Sequence, residues 1–143
     1  MSKSVLCAVD VSDPGVDENV LQQAARLADL EDAQLDVITV VPDFGMSVVS
    51  TFFEKSHHDR AVQETSDRLH AMVADVLGKD RAKVVRAIVS TGKAYEEILK
   101  TAKVAGSDLI VIGAHTPDLA DYLLGPNAAR VVRHSKCSVH VVR

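Results

Sequence analysis

The stretch Val5-Leu6-Cys7-Ala8-Val9-Asp10 is apolar at five consecutive positions and then breaks on a carboxylate. Strand side chains point alternately to opposite faces, so an unbroken apolar run implies that both faces are covered, as inside a parallel sheet. A second run, Leu109-Ile110-Val111-Ile112, has the same character and ends on Gly113. These two runs are expected at the centre of one sheet. Three more β-branched runs, Leu35 to Val41, Val84 to Val89 and Val139 to Val142, complete a set of five strands.

Helical patterns fill the intervals. Val20, Leu21, Ala24, Leu27 and Ala28 form a stripe at three- and four-residue spacing, with Asp17 placed to cap it. A longer helix is predicted from about Glu54 to Leu77, with Leu69, Met72, Val73 and Val76 on its apolar side and Gly78 to stop it. A third spans roughly Ala94 to Ala105 and closes on Gly106. The last runs from about Pro126 to His134, since proline suits the first helical position. Strands alternating with helices of this length make βαβ units, and their right-handed crossovers give an open parallel sheet with helices on both faces. Ligands of such sheets sit beyond the carboxyl ends of the strands, where the winding reverses.

The chain of 143 residues is 47% hydrophobic and 25% charged, which fits one domain over residues 1–143 with no repeat, low-complexity stretch or linker. Aromatics make up only 3%, so the core falls to Val, Leu, Ile and Ala. Against 20 acidic residues stand 16 basic ones, a formal net charge of -4 that offers no basic face to a phosphate backbone. Nucleic acid is therefore not an expected partner. The opening apolar segment is too short for a signal peptide or a membrane span, so a cytoplasmic location without membrane insertion is expected. Cys7 and Cys137 form no C-x-x-C pair and read as inert buried thiols.

Several nucleotide motifs are missing. The turn Val9-Asp10-Val11-Ser12-Asp13-Pro14-Gly15 lacks G-x-G-x-x-G, and Gly92-Lys93-Ala94 fails the Walker A pattern. A receiver domain needs a phospho-accepting Asp after the third strand, where Val89-Ser90-Thr91 stands. What remains is Ile112-Gly113-Ala114-His115-Thr116-Pro117-Asp118, followed by Tyr122-Leu123-Leu124-Gly125-Pro126-Asn127-Ala128. Gly113 removes bulk where a central strand ends, and Gly125 lets the chain turn so that the last helix aims its amides at an anion. Pro126 has no N–H, which leaves the amides of Asn127 and Ala128 as donors. Phosphate is the natural guest.

On these residues the chain resembles the universal stress protein family nearly end to end. Val5 to Asp10 looks like the family's first strand with its terminal Asp, Leu35 to Pro42 like its second, and Asp108 to Gly113 like its fourth. Tyr122 to His134 is similar to the tail of the F/G subgroup, which is known for adenine nucleotides. The resemblance implies an adenine nucleotide alpha hydrolase-like, Rossmann-like fold with strand order 3-2-1-4-5. It further implies ATP, ADP or AMP as a regulatory ligand in stress response or transporter regulation, with Mg²⁺ held only through the phosphates. Carried over by position, Ala8, Val9 and Asp10 line the adenosine, Asp10 bonding ribose or base, while Val40 offers backbone groups to adenine. Gly113, His115, Thr116, Gly125 and Asn127 hold phosphates, flanked by Pro126 and Ala128. A homodimer joined through Val139–Val142, an edge that would otherwise stand open, and a regulatory protein partner are also implied. Thr116 departs from the family's second Gly and Pro126 from its Ser or Thr, each lost hydrogen bond costing about 1 kcal/mol.

No nucleophile paired with a base, and no carboxylate cluster for a metal, accompanies these residues, so a non-catalytic regulator is expected. The rivals are a slow ATPase or nucleotidyl-transfer enzyme using Asp10 or His115 as base, and a nucleotide-free dimeric scaffold with Pro126 as the lesion. Asp10 would equally satisfy a turn, and His115 would equally be a solvated loop residue. His57 and His58 are adjacent on a helix and cannot chelate together, and His134 with Cys137 lacks further ligands. Phe44, Phe52 and Phe53 cluster after the second strand, either as packing or as a lid over adenine or a partner surface.

Overall fold

In a computed structural model of the chain, β1 (Ser4–Ala8) is the middle strand of a five-stranded, wholly parallel sheet ordered β3-β2-β1-β4-β5. The structure describes residues 3–12, 15–42, 52–114 and 125–143, with the backbone alone at 52–57, 125 and 126. Its neighbours are β2 (Gln34–Val41), paired from Ser4↔Gln34 to Ala8↔Ile38, and β4 (Leu109–Gly113), paired from Val5↔Leu109 to Ala8↔Ile112. Outside these lie β3 (Arg86–Thr91) against β2 and β5 (Ser138–Val142) against β4. Every residue of β1 is buried, which is the physical meaning of its unbroken apolar run.

The two faces are covered by different helices. On one, α1 (Glu18–Leu30) and α2 (Phe52–Leu77) set Val20, Leu21, Ala24, Leu69 and Val73 against Val5, Cys7, Val37 and Val111. On the other, α4 (Ala94–Ala105) and α5 (Gly125–His134) set Ile98, Ala102, Ala128 and Val131 against Leu6, Ala8, Ile38, Val40, Ile110 and Ile112. Odd and even positions of β1 thus serve separate layers. α4 stops at Gly106, whose φ of 67 is the left-handed conformation that frees its amide and that of Ser107 for the carbonyls of Lys103 and Ala102. Among the described residues no helix is long and apolar enough to cross a membrane.

The largest departures from the sequence reading fall before β3. A short helix, α3 (Lys79–Val84), intervenes before β3 and takes in Val84, which is 65% exposed there. None of its residues is buried, so it leaves no apolar period to detect. β3 consequently begins at Arg86, and the reason lies in β2. Asp36 is completely buried, and Arg86 donates from Nε and Nη2 to its two oxygens at 3.0 and 2.8 Å, with the Ser4 hydroxyl at 3.3 Å. A slip of β3 would strand that carboxylate without its cation, a far larger penalty than exposing one valine. The same contacts hold the Arg86 guanidinium above its ordinary pKa, its hydrogen bonds to Asp36 first and the charge of that carboxylate second.

Candidate functional site

β1 and β4 lie side by side, yet the chain leaves β1 for the α1/α2 face and leaves β4 for the α4/α5 face. Two connections that part in opposite directions open a crevice at the carboxyl rim of the central strands. Val9 and Gly113 stand one residue beyond the Ala8↔Ile112 pair at this rim. Val9 donates its amide to the Ile38 carbonyl at 2.9 Å, and Ala114 donates to Val142 at 2.8 Å, so strand pairing carries on to the edge of the crevice.

Asp10 is 4% exposed and held on both sides. Its Oδ1 accepts from the Ser12 amide at 2.9 Å and the Ser12 hydroxyl at 2.6 Å, the self-bonding turn open to Asp at a strand end. Its own amide donates to Oδ2 of Asp17 at 2.6 Å. Asp17 occupies the N-cap of α1 as expected, but its carboxylate makes no cap bond to that helix and reaches back to Asp10 instead. A cavity of about 440 Å³ adjoins Asp10 and Ser12 and extends toward Arg68, Met72 and Asp75 of α2, away from α5.

Across the crevice the rim is formed by helix starts. Asn127, 7% exposed, accepts the Tyr95 amide on its Oδ1 at 3.2 Å, so a side chain of α5 caps the first turn of α4. Arg130, one turn further along α5, stacks its guanidinium 5.1 Å from the centre of the Tyr95 ring. The first turn of α5 contains no acidic residue, whereas α1, α3 and α4 carry Glu18, Asp80 and the pair Glu96 and Glu97 in theirs. The positive end of the α5 dipole is thus uncompensated from within the helix, a favourable seat for an anion.

The expected site residues divide accordingly. Ala8, Val40 and Ala128 belong to one buried apolar cluster, with Val9 on the opposite face and Asp10, Gly113 and Asn127 buried along the rim. Gly125 and Pro126 open α5, which begins one residue earlier than the proline suggested. His115 and Thr116 lie outside the described residues, as do Phe44 and the side chains of Phe52 and Phe53. Sequence reasoning missed Tyr95 and gave Asp17 only a cap role. Tyr95 acts through Asn127, far along the chain, and Asp17 reaches back across the turn to Asp10, pairings that no motif encodes.

A family model for the universal stress protein family matches residues 1–143. The chain belongs to the universal stress protein family. Relatives named Universal stress protein G from Shigella flexneri and Escherichia coli O157:H7 are each 27% identical over the whole length of both chains. Among solved structures, a universal stress protein in complex with cAMP superposes with a TM-score of 0.68 at 22% identity, covering 99% of this chain and 97% of that one. The universal stress protein from Archaeoglobus fulgidus in complex with dAMP superposes with a TM-score of 0.60 at 16% identity, covering 99% and 98%. At these identities the likeness is one of fold, and the strand order expected of the family is the order found.

Proposed function

We propose that this universal stress protein binds an adenine nucleotide, ATP or a shorter relative, at the β1–β4 crevice, as a regulatory ligand. The observation that carries the reading is the start of α5: free of acidic residues in its first turn, tied to α4 through Asn127, and set beyond the strand that ends in Gly113. That rim suits phosphates, and the buried rim of β1 and β2, with Ala8, Val9, Asp10 and Val40, suits the apolar and polar edges of adenosine. The cAMP and dAMP complexes of two neighbours of the same fold support the ligand class. His115, Thr116, Gly125, Pro126 and Ala128 complete the phosphate side in this reading. Among the described residues no group of His, Cys, Asp or Glu is placed to hold a metal, so Mg²⁺ would enter with the phosphates.

The engagement of Asp10 Oδ1 with Ser12 favours a positioning role over that of a base, hence a regulator over an ATPase. The reading includes one domain over residues 1–143, a cytoplasmic location, a regulatory protein partner and a homodimer through β5. Calorimetric titration with ATP, ADP and AMP tests it, alongside single-turnover incubation with labelled ATP. Saturable binding, with ATP recovered intact, is expected, and at about 100 times Kd the bound nucleotide should add about 2.7 kcal/mol of stability. No heat and no thermal shift with all three nucleotides would overturn the ligand, and stoichiometric conversion to ADP would replace the regulator with an enzyme.

A further inference from the structure

The carboxyl ends of α4 and α5 meet at the amino-terminal rim of β4 and β5, the rim opposite Asp10 and Gly113. A cavity of about 340 Å³ lies there, with Leu99, Ala102 and Cys137 in its lining. Its basic groups are Lys100, Lys103, Lys136 and His134, contributed by two helices and the turn after α5, and no carboxylate lines it. Among the described residues none of the three lysines enters an ion pair. Ser107 also lines the cavity, and its hydroxyl is the one buried side-chain polar atom among the described residues that has no hydrogen-bond partner.

Helix carboxyl ends attract cations, and that accounts for Lys103 and His134, which stand in the last turns of α4 and α5. It does not account for Lys100, a turn earlier, or Lys136, beyond the end of α5, because the dipole fades within the last turn. Nor does it account for the Ser107 hydroxyl, a buried polar group without a partner beside the same cavity. The geometry points to a second ligand site, for a small organic anion: an oxyanion head group held by Lys100, Lys103 and Lys136, on an apolar body lying against Leu99, Ala102 and Cys137. A volume of this size is at the lower end of small-molecule sites and suits a body of about one ring. The site stands on its own residues and is independent of the nucleotide reading.

Amide ¹H–¹⁵N spectra of the whole chain, titrated with phenyl phosphate, benzoate and neutral benzyl alcohol at matched ionic strength, test the inference. Saturable shifts of the Ser107, Ser135 and Cys137 amides are expected with the anions and not with benzyl alcohol, and the tighter anion identifies the head group. Combined Lys100→Gln, Lys103→Gln and Lys136→Gln substitutions should weaken the tighter anion by about tenfold or more. Should that variant fail to fold, raising salt from about 50 mM to about 500 mM on the parent chain should weaken it severalfold. Equal shifts with benzyl alcohol, shifts confined to Gly113 and Asn127, or an affinity unchanged in the folded variant or in salt would each overturn the site. A variant that melts earlier yet binds as before would leave the lysines as partners of the helix ends alone.

Discussion

Asp17 is buried completely, and its carboxylate accepts the amide of Asp10. Replacing it with alanine leaves that amide facing a buried void, and Asp17→Ala should lower the free energy of urea unfolding by about 1 to 3 kcal/mol. Asp17→Asn, which keeps an oxygen acceptor, should lose less. Cys7, two residues before Val9 on the same face, behaves differently. Burial, with a smaller contribution from the nearby Asp17 charge, pushes its thiol far above the ordinary value of 9.0. The folded chain therefore keeps a neutral thiol where the unfolded chain ionises. Its contribution to stability is complete below pH 9.0 and falls above it, by up to about 1.4 kcal/mol per pH unit. Denaturant titrations of the parent and Cys7→Ala between about pH 8 and pH 11 should show the steeper alkaline decline only in the parent.

At the scale of elements, α2 rests on the sheet through few deeply buried side chains among those described. Leu69 is fully buried and Val73 nearly so, and Leu69→Ala should cost about 2 to 5 kcal/mol in a chemical denaturation experiment. At the rim the Asn127 side chain of α5 accepts the Tyr95 amide of α4, and Asn127→Ala removes that acceptor. A loss of about 1 kcal/mol is expected there, with a weaker nucleotide titration if the α5 start holds phosphate. The sequence made the strands and long helices legible because each buries a face with its own period, 2 for strands and 3.6 for helices. α3 escaped because none of its residues is fully buried. The start of β3 escaped because it is set by Asp36 and Arg86, which meet only after the sheet is assembled. The glycine-marked corners of the site were legible as backbone features. The side-chain bonds at the rim, from Asp17 to Asp10 across a turn and from Asn127 to Tyr95 between helices, matched no motif in the sequence.

For the molecule as a whole, β3 and β5 are the two edges of the sheet. β5 alternates exposed and half-buried residues up to Val142, a surface able to pair with a second copy. Light scattering should report a mass of twice 15.4 kDa if the dimer of the proposed function forms, and 15.4 kDa at every concentration would remove it. The position of β1 has a consequence for biosynthesis. Its residues leave the ribosome shortly before β2, which can pair with them, but the partner on their other side is Leu109–Gly113. Until that stretch has been translated, one flank of the innermost strand stays unclosed and its backbone groups lack their final mates. The nascent chain must be kept from promiscuous strand pairing until then, and the closing step is long-range and slow for topological reasons.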